Sequence, residues 1–508
     1  MQSAWTRHLP PGTDPESLDL VRAGSLPAAW AHRWAADGSH PVLCDQGRWT
    51  TAAELEARSR VVAGRFAAAG LVPGDRVLMS TATSMELVIA HVAALRSGLV
   101  VVPMNGAYRE REVTHIVGDS RPAAAVVDDR DRARWVRATA PEAVIVGPDV
   151  VLPDGEPPEL DASASGDLAL LGYTSGTTGV PKGAMLTHGN LLAGVEALRL
   201  SWRWTNEDRL VLALPLFHAH GLCVGLHGTL LCGGSAVLLP RFAVDTVLDA
   251  AREEDATLFF GVPTMYSRLA ASARARELST LRLCVSGSAP LPAELHRELA
   301  SRGGTRVIER YGMTETLMNA SNPYDGDRRP GSVGVPLPMV EIDLVPDTGS
   351  VPERQGGSVP ERQAGEILVR GPNVFPGYWE RADATREAFA GGWFHTGDVG
   401  AWGSDGYLTI VGRCKELIIS GGFNVYPREV EDVLLLHPGV REVAVIGTPS
   451  DEWGETVTAV VVADGPPDER ALLEFAAEHL ASFKRPRIVR YVDVLPRNAL
   501  GKVVRSEL

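Results

Sequence analysis

Long apolar runs are missing from this sequence. No segment reaches the roughly eighteen consecutive apolar residues that a membrane-spanning helix requires. The first thirty residues contain Arg7, Asp14, Glu16, Asp19 and Arg22, so they lack the uninterrupted apolar core of a secretory signal. We therefore expect a protein that is neither exported nor inserted in a membrane.

Cysteine is scarce, and its spacing excludes two kinds of site. The five cysteines are odd in number and widely separated, and no pair has the Cys-x-x-Cys spacing. This pattern favours neither a disulfide framework nor a zinc site. A reducing cytoplasm is the compartment that fits it best.

Positive charge is also in short supply, because the formal net charge is −14. Such a balance opposes non-specific binding to nucleic acid or anionic membranes, so small molecules are the expected partners. With 45% hydrophobic and 22% charged residues, the composition is that of a soluble globular enzyme. A length of 508 residues predicts two or more domains. We expect a monomer or a small homo-oligomer.

Short apolar runs alternate with helix-period segments through most of the chain, which predicts α/β layering with buried strands. The predicted strands lie at 76–79, 100–103, 123–127, 168–171, 210–214, 256–260 and 281–285. The predicted helices lie at 51–69, 84–95, 190–200 and 293–302. These elements form a large multi-sheet α/β body, which we assign to residues 1–411.

The last hundred residues have a different pattern. Helices are predicted at 427–436 and 468–481, with strands at 442–446, 456–462 and 488–492. A turn-rich stretch at 403–406 precedes them, so we place the start of a small α+β domain at residue 412 and its end at 508. A tandem octapeptide at 349–364 is interpreted as a duplicated, exposed hairpin loop without chemistry.

The most informative segment runs from Tyr173 to Gly183 and is rich in glycine and hydroxyl side chains. Its glycines, Gly176 among them, let the backbone approach an anion, and Lys182 adds a compact positive charge. The hydroxyl donors are Thr174, Ser175, Thr177 and Thr178. The segment lacks the Gly-Lys-[Ser/Thr] ending of a Walker A loop, and no Gly-x-Ser-x-Gly elbow of a serine hydrolase is found. It predicts a phosphate-binding loop of another family.

Several further segments occur in a fixed order after this loop. They are Tyr311-Gly-Met-Thr-Glu315, Trp393-Phe-His-Thr-Gly-Asp398, Gly412-Arg-Cys-Lys-Glu-Leu-Ile418, Gly421-Gly-Phe-Asn-Val-Tyr-Pro-Arg-Glu-Val-Glu431 and Pro496-Arg-Asn-Ala-Leu-Gly-Lys502. Together with the loop, this set resembles the adenylate-forming superfamily of acyl-CoA synthetases, luciferases and peptide-synthetase adenylation domains. The match spans nearly the whole chain.

The resemblance implies a two-step ligase that uses ATP, Mg²⁺ and coenzyme A. A carboxylate attacks the α-phosphate of ATP to give an acyl-adenylate, and a thiol then displaces AMP. In this family pattern Thr314 contacts phosphate, while Glu315 and Thr174 hold Mg²⁺, a hard cation that prefers oxygen ligands. Asp398 would accept hydrogen bonds from the ribose hydroxyls, and Arg413 would reach the same sugar.

The resemblance also implies that the C-terminal domain is mobile. Lys502 would be carried to the reacting carboxylate in one pose, where its charge offsets an anionic transition state. In a second pose Gly421 and Gly422 would line a tunnel for the thiol. Lys415 stands at the hinge position of the family and would absorb the backbone change.

The acid substrate is suggested by the segments around 215–222, 260–266, 285–290 and 307–319, which look especially like those of bacterial malonyl-CoA synthetases. Arg310 precedes the Tyr-Gly-x-Thr-Glu motif, where ligases for bulky neutral acids commonly have a small residue. A guanidinium there would bind a second carboxylate, and by resemblance His218 and Ser286 would assist. The same pattern assigns nucleotide or acyl contacts to Ser288, Ala289, Pro290, Glu309, Arg310, Tyr311 and Gly312.

Alternatives remain open at this point. Arg310 could form an ion pair with Glu309 or another local carboxylate, and His220 is interpreted as a hydrogen-bonded core histidine. A metal site at His218 and His220 lacks a third ligand with recognisable spacing. Malonate or a similar short dicarboxylate is the expected substrate. The alternatives are an aryl or medium-chain acid, or nitrite activated for N–N bond formation in a natural-product pathway.

Overall fold

The computed structural model describes residues 4–174, 181–345, 364–420, 423–450, 453–466, 468–480, 482–498 and 501–508. The chain divides into two compact units. Unit 1 comprises Met1–Ile342 and Val369–Phe394, and unit 2 comprises Asp343–Leu368 and His395–Leu508. The predicted boundary at 411/412 stays a prediction, and residues 349–363 of the tandem repeat at 349–364 lie outside the described residues.

Unit 1 contains most of the helices. They are α1 (Leu26–Ala36), α2 (Ala52–Ala68), α3 (Met85–Arg96), α4 (Glu110–Ser120), α5 (Arg130–Thr139), α6 (His188–Trp202), α7 (His227–Cys232), α8 (Val244–Glu253), α9 (Pro263–Ala270), α10 (Ala293–Gly303) and α11 (Ala382–Ala388). Unit 2 contributes α12 (Pro427–Leu434) and α13 (Glu469–His479).

The first fifteen strands also belong to unit 1. They are β1 (Pro41–Asp45), β2 (Arg48–Thr51), β3 (Arg76–Ser80), β4 (Val100–Pro103), β5 (Ala124–Val127), β6 (Val144–Val146), β7 (Leu168–Thr174), β8 (Lys182–Thr187), β9 (Arg209–Leu212), β10 (Ser235–Leu238), β11 (Leu258–Gly261), β12 (Leu283–Ser286), β13 (Ile308–Tyr311), β14 (Ala320–Ser321) and β15 (Val335–Pro336).

The remaining strands follow in chain order. They are β16 (Glu341–Val345), β17 (Gly365–Arg370), β18 (Phe389–Ala390), β19 (Trp393–Trp402), β20 (Leu408–Arg413), β21 (Ile418–Ser420), β22 (Phe423–Val425), β23 (Val440–Ser450), β24 (Gly454–Ala463) and β25 (Ile488–Tyr491).

Within the described residues, unit 1 holds two large sheets. One has nine strands in the order β15-β14-β13-β12-β11-β9-β10-β1-β2, and the other has six in the order β6-β5-β3-β4-β7-β8. The central strands of both are parallel, with β9 to β13 in the first sheet and β3 to β6 in the second. Parallel strands are covered on both faces, and all four residues of β11 are accordingly buried. The predicted α/β layering is confirmed.

Local sequence signals explain several boundaries. Helix α2 begins after Thr51, whose side chain and that of Glu54 form a reciprocal capping box. Helix α13 begins after Asp468, which accepts a hydrogen bond from the Ala471 N–H at 2.9 Å. The predicted helices at 51–69 and 468–481 are thereby reproduced to within about two residues.

In the C-terminal part of unit 2, a five-stranded sheet orders β22-β21-β24-β23, with β25 parallel to β24, and α12 and α13 pack on it. Its core includes Val430 of α12, Val445 of β23, Val461 of β24 and Leu472 of α13. The predicted α+β pattern is confirmed in this region. No helix in the described part of the chain combines the length and hydropathy needed to cross a membrane.

Candidate active site

The predicted phosphate loop connects two antiparallel strands. Strand β7 ends at Thr174 and β8 begins at Lys182, and these two residues face each other in the register. The hairpin therefore positions both ends of the loop. The predicted loop donors Ser175, Gly176, Thr177 and Thr178 lie outside the described residues.

Glu315 is the centre of a buried polar cluster, with 5% of its surface exposed. The Thr174 hydroxyl donates to Glu315 Oε1 at 3.2 Å, and the Tyr378 hydroxyl donates to the same oxygen at 3.1 Å. Burial, together with the negative charge of Glu315, raises the pKa of Tyr378. Tyr378 therefore remains a neutral donor, and the carboxylate is held in one orientation.

Tyr378 is a site residue that the sequence patterns did not reveal. It lies beside β8, because the Trp379 N–H donates to Gly183 O at 2.8 Å and the Met185 N–H donates to Gly377 O at 3.0 Å. The Lys182 Nζ lies 5.4 Å from the centre of the Tyr378 ring, within the range of a cation–π contact. Only a Pro-Gly turn followed by two aromatic residues marks the position in the sequence.

Two glycines allow the close packing at Thr314. A Cβ atom on Gly172 would lie 2.5 Å from Thr314 Cγ2, so β7 can pass this residue only without a side chain. A Cβ on Gly312 would lie 1.9 Å from Leu317 O, because the chain folds back tightly there. Thr174, Thr314 and Glu315 are thus brought together as predicted from the motifs.

A second buried cluster surrounds Arg310, five residues before Glu315. Arg310 is 4% exposed, and its Nε and Nη2 have no hydrogen-bond partner among the described residues. Burial lowers the pKa of this guanidinium to about 9. A Cβ on Gly287 would lie 2.3 Å from Arg310 Cζ, so the absence of a side chain there makes room for the guanidinium.

The alternative ion pair with Glu309 does not form. Glu309 instead accepts a hydrogen bond from the Leu291 N–H on Oε1 at 2.9 Å, and burial is the sole cause of the lowered Arg310 pKa. A buried guanidinium without a carboxylate is costly, since a desolvated charge requires a counter-ion. Arg310 therefore has the environment of a residue that binds an anionic ligand.

Two other buried side chains in this part of unit 1 have unused hydrogen-bonding capacity. Ser286, at the carboxyl end of β12, is fully buried, and its Oγ has no partner within the described chain. His220 Nδ1 lies 3.3 Å from Ser288 Oγ, while His220 Nε2 is likewise unpaired there. Burial, followed by the nearby charges of Arg310 and His218, lowers the pKa of His220 well below its usual value, so this ring is neutral.

His220 is the first residue of a π-helical turn, His220–Leu226, and His218 lies two residues before it. The Leu222 N–H donates to His218 O at 2.8 Å, and the His220 ring stacks on Phe260 with centroids 6.4 Å apart. The prediction of a packed, hydrogen-bonded His220 agrees with these contacts. Turns of π-helix are frequent at functional sites, and sequence periodicity gave no sign of this one.

The other predicted residues on this side follow the same strands. Ser288, half-buried with φ of +69°, comes directly after β12 and precedes Ala289 and Pro290. Glu309, Arg310 and Tyr311 belong to β13, which ends just before Gly312. Because β12 and β13 are parallel, their carboxyl ends share one edge of the sheet, where α/β proteins bind ligands.

In unit 2, Asp398 and Arg413 form a pair across two strands. They face each other in the register of β19 and β20, and Arg413 Nε lies 2.9 Å from Asp398 Oδ1. Asp398 is 5% exposed, whereas the side chain of Arg413 is 46% exposed.

Lys502 is exposed on a short loop near the chain end. Its N–H donates to Asn498 Oδ1 at 3.0 Å, and an isolated bridge joins Arg497 to Val503. Three residues later, Arg505 is paired with Glu431 at 2.6 Å and Glu416 at 3.0 Å. These contacts anchor the segment that carries Lys502. Gly421 and Gly422 lie outside the described residues.

Glu315 and Thr174 are chemically suited to Mg²⁺. This cation keeps several waters and is commonly held by one or two carboxylates plus substrate phosphates. Glu315 supplies a carboxylate next to the ends of the phosphate loop, with Thr174 in contact. Groups of three or more His, Cys, Asp or Glu side chains able to hold a metal ion by themselves do not occur in the described ranges.

Comparisons with known proteins agree with this arrangement. A family model described as AMP-binding enzyme matches residues 30–379, and one described as AMP-binding enzyme C-terminal domain matches residues 429–502. The feruloyl-CoA synthase of an Amycolatopsis species is 39% identical over 492 residues, which cover 94% of this chain and 98% of that protein.

Solved structures are similar over the same extent. The crystal structure of ATP-bound MatB from Rhodopseudomonas palustris matches this chain with a TM-score of 0.89 and 41% sequence identity. The match covers 95% of this chain and 98% of that one. The O-succinylbenzoate coenzyme A synthetase of Bacillus subtilis, in complex with ATP and a magnesium ion, has a TM-score of 0.85 and 32% identity, covering 94% and 98%.

Fold, motifs and relatives define an adenylate-forming acyl-CoA synthetase architecture. The chain belongs to the AMP-binding enzyme family. It is an ATP-dependent acid–thiol ligase, and ATP, Mg²⁺ and coenzyme A are the cofactors of such ligases. The predicted family, enzyme class and cofactors are confirmed, while the oligomeric state and the cytoplasmic location stay predictions.

Proposed function

We propose that this ligase activates a short dicarboxylic acid, such as malonate or methylmalonate, and transfers it to coenzyme A. The observation that carries the proposal is the buried guanidinium of Arg310, whose Nε and Nη2 have no partner among the described residues. One carboxylate of the acid would react, and the other would pair with Arg310. A neutral acid would leave the guanidinium without a counter-ion.

The chemistry of the Arg310 cluster supports a carboxylate as its ligand. The fork of guanidinium donors matches the two oxygens of a carboxylate, which gives short charge-assisted hydrogen bonds. The neutral His220 ring lies near the charge of Arg310 and has unused hydrogen-bonding capacity. Ser286 Oγ is also unpaired among the described residues, and by resemblance to malonyl-CoA synthetases it is assigned to the same acyl site. His218 lies two residues before His220 and is assigned to the same acyl site. A carboxylate bound here would supply the negative charge that the described residues do not provide to Arg310.

On the nucleotide side, we assign Glu315 and Thr174 to Mg²⁺, and Thr314, Lys182 and the loop donors to the phosphates. Bound there, Mg²⁺ would offset phosphate charge. Tyr378 orients the Glu315 carboxylate through its hydrogen bond of 3.1 Å. The backbone of 288–290 and 309–312 would contact the nucleotide and the acyl group.

The residues of unit 2 complete the proposal. Asp398 and Arg413 would bind the ribose, and Lys502 would neutralise charge on the reacting carboxylate and α-phosphate. A domain spanning 412–508 would rotate at Lys415 to exchange Lys502 for the thiol tunnel at Gly421 and Gly422.

An aryl acid is the second candidate, because the similar protein from Amycolatopsis is named a feruloyl-CoA synthase. The Phe260 ring that stacks on His220 could form an apolar wall for such a substrate. An aryl acid, however, offers no partner to Arg310 unless it carries a second anionic group. Nitrite is a single oxyanion, so when it reacts with ATP it leaves no second anionic group for Arg310.

The test is an acid panel assayed for AMP and thioester separately, with malonate, ferulate, benzoate, octanoate, and nitrite plus an aryl amine. Wild type should prefer malonate. Arg310→Ala should lower kcat/KM for malonate by about 10- to 150-fold, which corresponds to the loss of one charged hydrogen bond. It should leave kcat/KM largely unchanged for acids without a second carboxylate. Arg297→Ala, which removes an exposed arginine of α10, is the matched control.

Two results would overturn the dicarboxylate assignment. One is an Arg310→Ala variant with unchanged selectivity between malonate and octanoate. The other is a wild-type enzyme that forms AMP with ferulate or nitrite and not with any short diacid. In both cases ligase activity itself would persist, so the fault would lie with the proposed acid.

A further inference from the structure

A cavity of about 480 Å³ opens in unit 1 at the amino ends of β12 and β13. Arg282 lines it just before β12, and Arg306 lines it two residues before β13. The carboxyl ends of the same strands carry Ser286 and Arg310–Tyr311. The cavity is therefore at the opposite edge of the sheet from the acyl and nucleotide clusters.

Three arginines converge on this cavity, and Tyr324 holds two of them. The guanidinium carbons of Arg282 and Arg328 each lie 5.4 Å from the centre of the Tyr324 ring. Arg328 Nη2 also donates to Tyr324 O at 3.2 Å, and its Nη1 donates to Arg306 O. The side chain of Arg328 is thereby fixed before any ligand binds.

The local charge is not balanced. Arg282 is neutralised by Asp208, with Nε donating to Oδ1 at 2.6 Å, and Asp325 is paired with Arg203 at 2.7 Å. Arg306 and Arg328 form no ion pair with a carboxylate in the part of the chain that the structure describes. Burial, followed by the charge of Arg306, lowers the pKa of Arg328. Two positive charges therefore remain at the cavity of a protein whose net charge is −14.

We propose that this cavity binds a phosphate dianion, either inorganic phosphate or the phosphate group of a small monoester. Two uncompensated guanidinium groups match its charge of about −2, and their planar forks match its several oxygens. Tyr324 also lines the cavity, so an organic substituent on the phosphate would lie beside this side chain. The site is independent of the proposed acid substrate.

Titration calorimetry on the full chain, without ATP, tests this site. Inorganic phosphate and phenyl phosphate are the probes. Arg306→Ala and Arg328→Ala should each weaken binding by at least about tenfold, the loss expected for one charged hydrogen-bond partner. Arg306 is exposed, so its variant should fold normally. Arg297→Ala controls for the loss of one exposed arginine.

A second variant separates this cavity from the nucleotide site. Lys182→Ala alters the proposed phosphate loop and should leave phosphate binding at the cavity unchanged. Tighter binding of phenyl phosphate than of phosphate would identify a monoester as the ligand, and equal binding would identify the free ion. Binding that survives in Arg306→Ala and disappears in Lys182→Ala, or no binding in wild type, would overturn the proposal.

Discussion

Glu315 and Arg310 lie five residues apart in the chain, and the two clusters around them differ in how their polar atoms are satisfied. Glu315 Oε1 accepts hydrogen bonds from Thr174 at 3.2 Å and Tyr378 at 3.1 Å. Arg310 Nε and Nη2, and Ser286 Oγ at the carboxyl end of the neighbouring strand, have no partner among the described residues. Glu315 and Arg310 are both buried, so exposure to water does not account for the difference.

Under the proposed roles, this difference distinguishes cofactor binding, which is the same for every acid, from selection of the acid. A carboxylate that is already oriented can hold the same cofactor in every turnover without reorganising. A buried cation without a counter-ion is completed only by a ligand of opposite charge, so it selects among ligands. We infer that nucleotide binding is preorganised and that acid selection resides at Arg310.

The largest expected effect comes from a residue outside both clusters. Lys502→Ala should slow adenylate formation by about 10²- to 10³-fold, because a charge that stabilises the transition state is lost. Thioester formation from preformed adenylate should be largely unchanged. Pyrophosphate release and thioester formation are measured separately.

Lys484→Ala is the matched control for Lys502→Ala, since Lys484 is paired with Glu429 at 2.6 Å within unit 2. It should leave both half-reactions near the wild-type rate. Equal losses in both half-reactions of Lys502→Ala would contradict the assignment of Lys502 to the first step.

Glu315→Gln tests the proposed role of the Glu315 cluster in cofactor binding. Loss of the carboxylate charge should lower kcat/KM by about 10²-fold for every acid in the panel, because the proposed Mg²⁺ ligand is removed while its shape is kept. The apparent affinity for Mg²⁺, measured by titrating activity, should fall as well. A loss confined to malonate would show that the two clusters are not functionally distinct.

Arg310→Met tests whether the Arg310 charge is costly when no acid is bound. The substitution should stabilise the ligand-free protein. Replacing an unpaired buried charge with an apolar side chain of similar length should raise the free energy of unfolding by about 1–3 kcal/mol at pH 7. Because the folded-state pKa of Arg310 is about 9 and its unfolded value is higher, the cost of the charge is complete below pH 9. It should decrease as the pH rises above 9.

Thermal unfolding at pH 7 and pH 10 measures this effect. The advantage of Arg310→Met should be larger at pH 7 than at pH 10, and saturating malonate should stabilise wild type alone. A variant less stable than wild type at pH 7 would mean that Arg310 is a structural residue with a partner of its own.

Tyr378→Phe should have the smallest effect. It removes one hydrogen bond to Glu315 and keeps the ring beside Lys182, so kcat/KM should fall by about 2- to 10-fold. The loss should be the same for malonate and octanoate. Tyr491→Phe in unit 2 is a control for removal of a tyrosine hydroxyl. An acid-dependent loss in Tyr378→Phe would place this residue in acid selection.

Much of the fold could be predicted because its signals are local. The run at 256–260 is almost wholly apolar, as a strand covered on both faces requires, and it corresponds to β11. Thr51 and Glu54 mark the start of α2 by their spacing alone. Short elements escaped prediction, including the β1–β2 hairpin and the π-helical turn at His220–Leu226, because their few residues carry no clear period.

The candidate site was predictable where a motif is contiguous. The motifs predicted Thr174, Thr314, Glu315 and Arg310 as site residues, and the structure brings the first three together. Tyr378 and Gly172 were not identified, because their importance depends on contacts with Glu315 and Thr314, far away in the sequence.

The sequence by itself determined three properties of this protein: the order of its motifs, its family and the alternation of buried strands with helices. Only the tertiary structure decided which polar groups are satisfied. Thr174 is 141 residues from Glu315 in the sequence, and Tyr378 is 63 residues from it. The hydroxyls of both nevertheless donate to the same Glu315 carboxylate oxygen. In the part of the chain that the structure describes, Arg310 Nε and Nη2 have no such partner. Burial and hydrogen-bond satisfaction depend on what surrounds a group in space, and that is set by packing between distant segments.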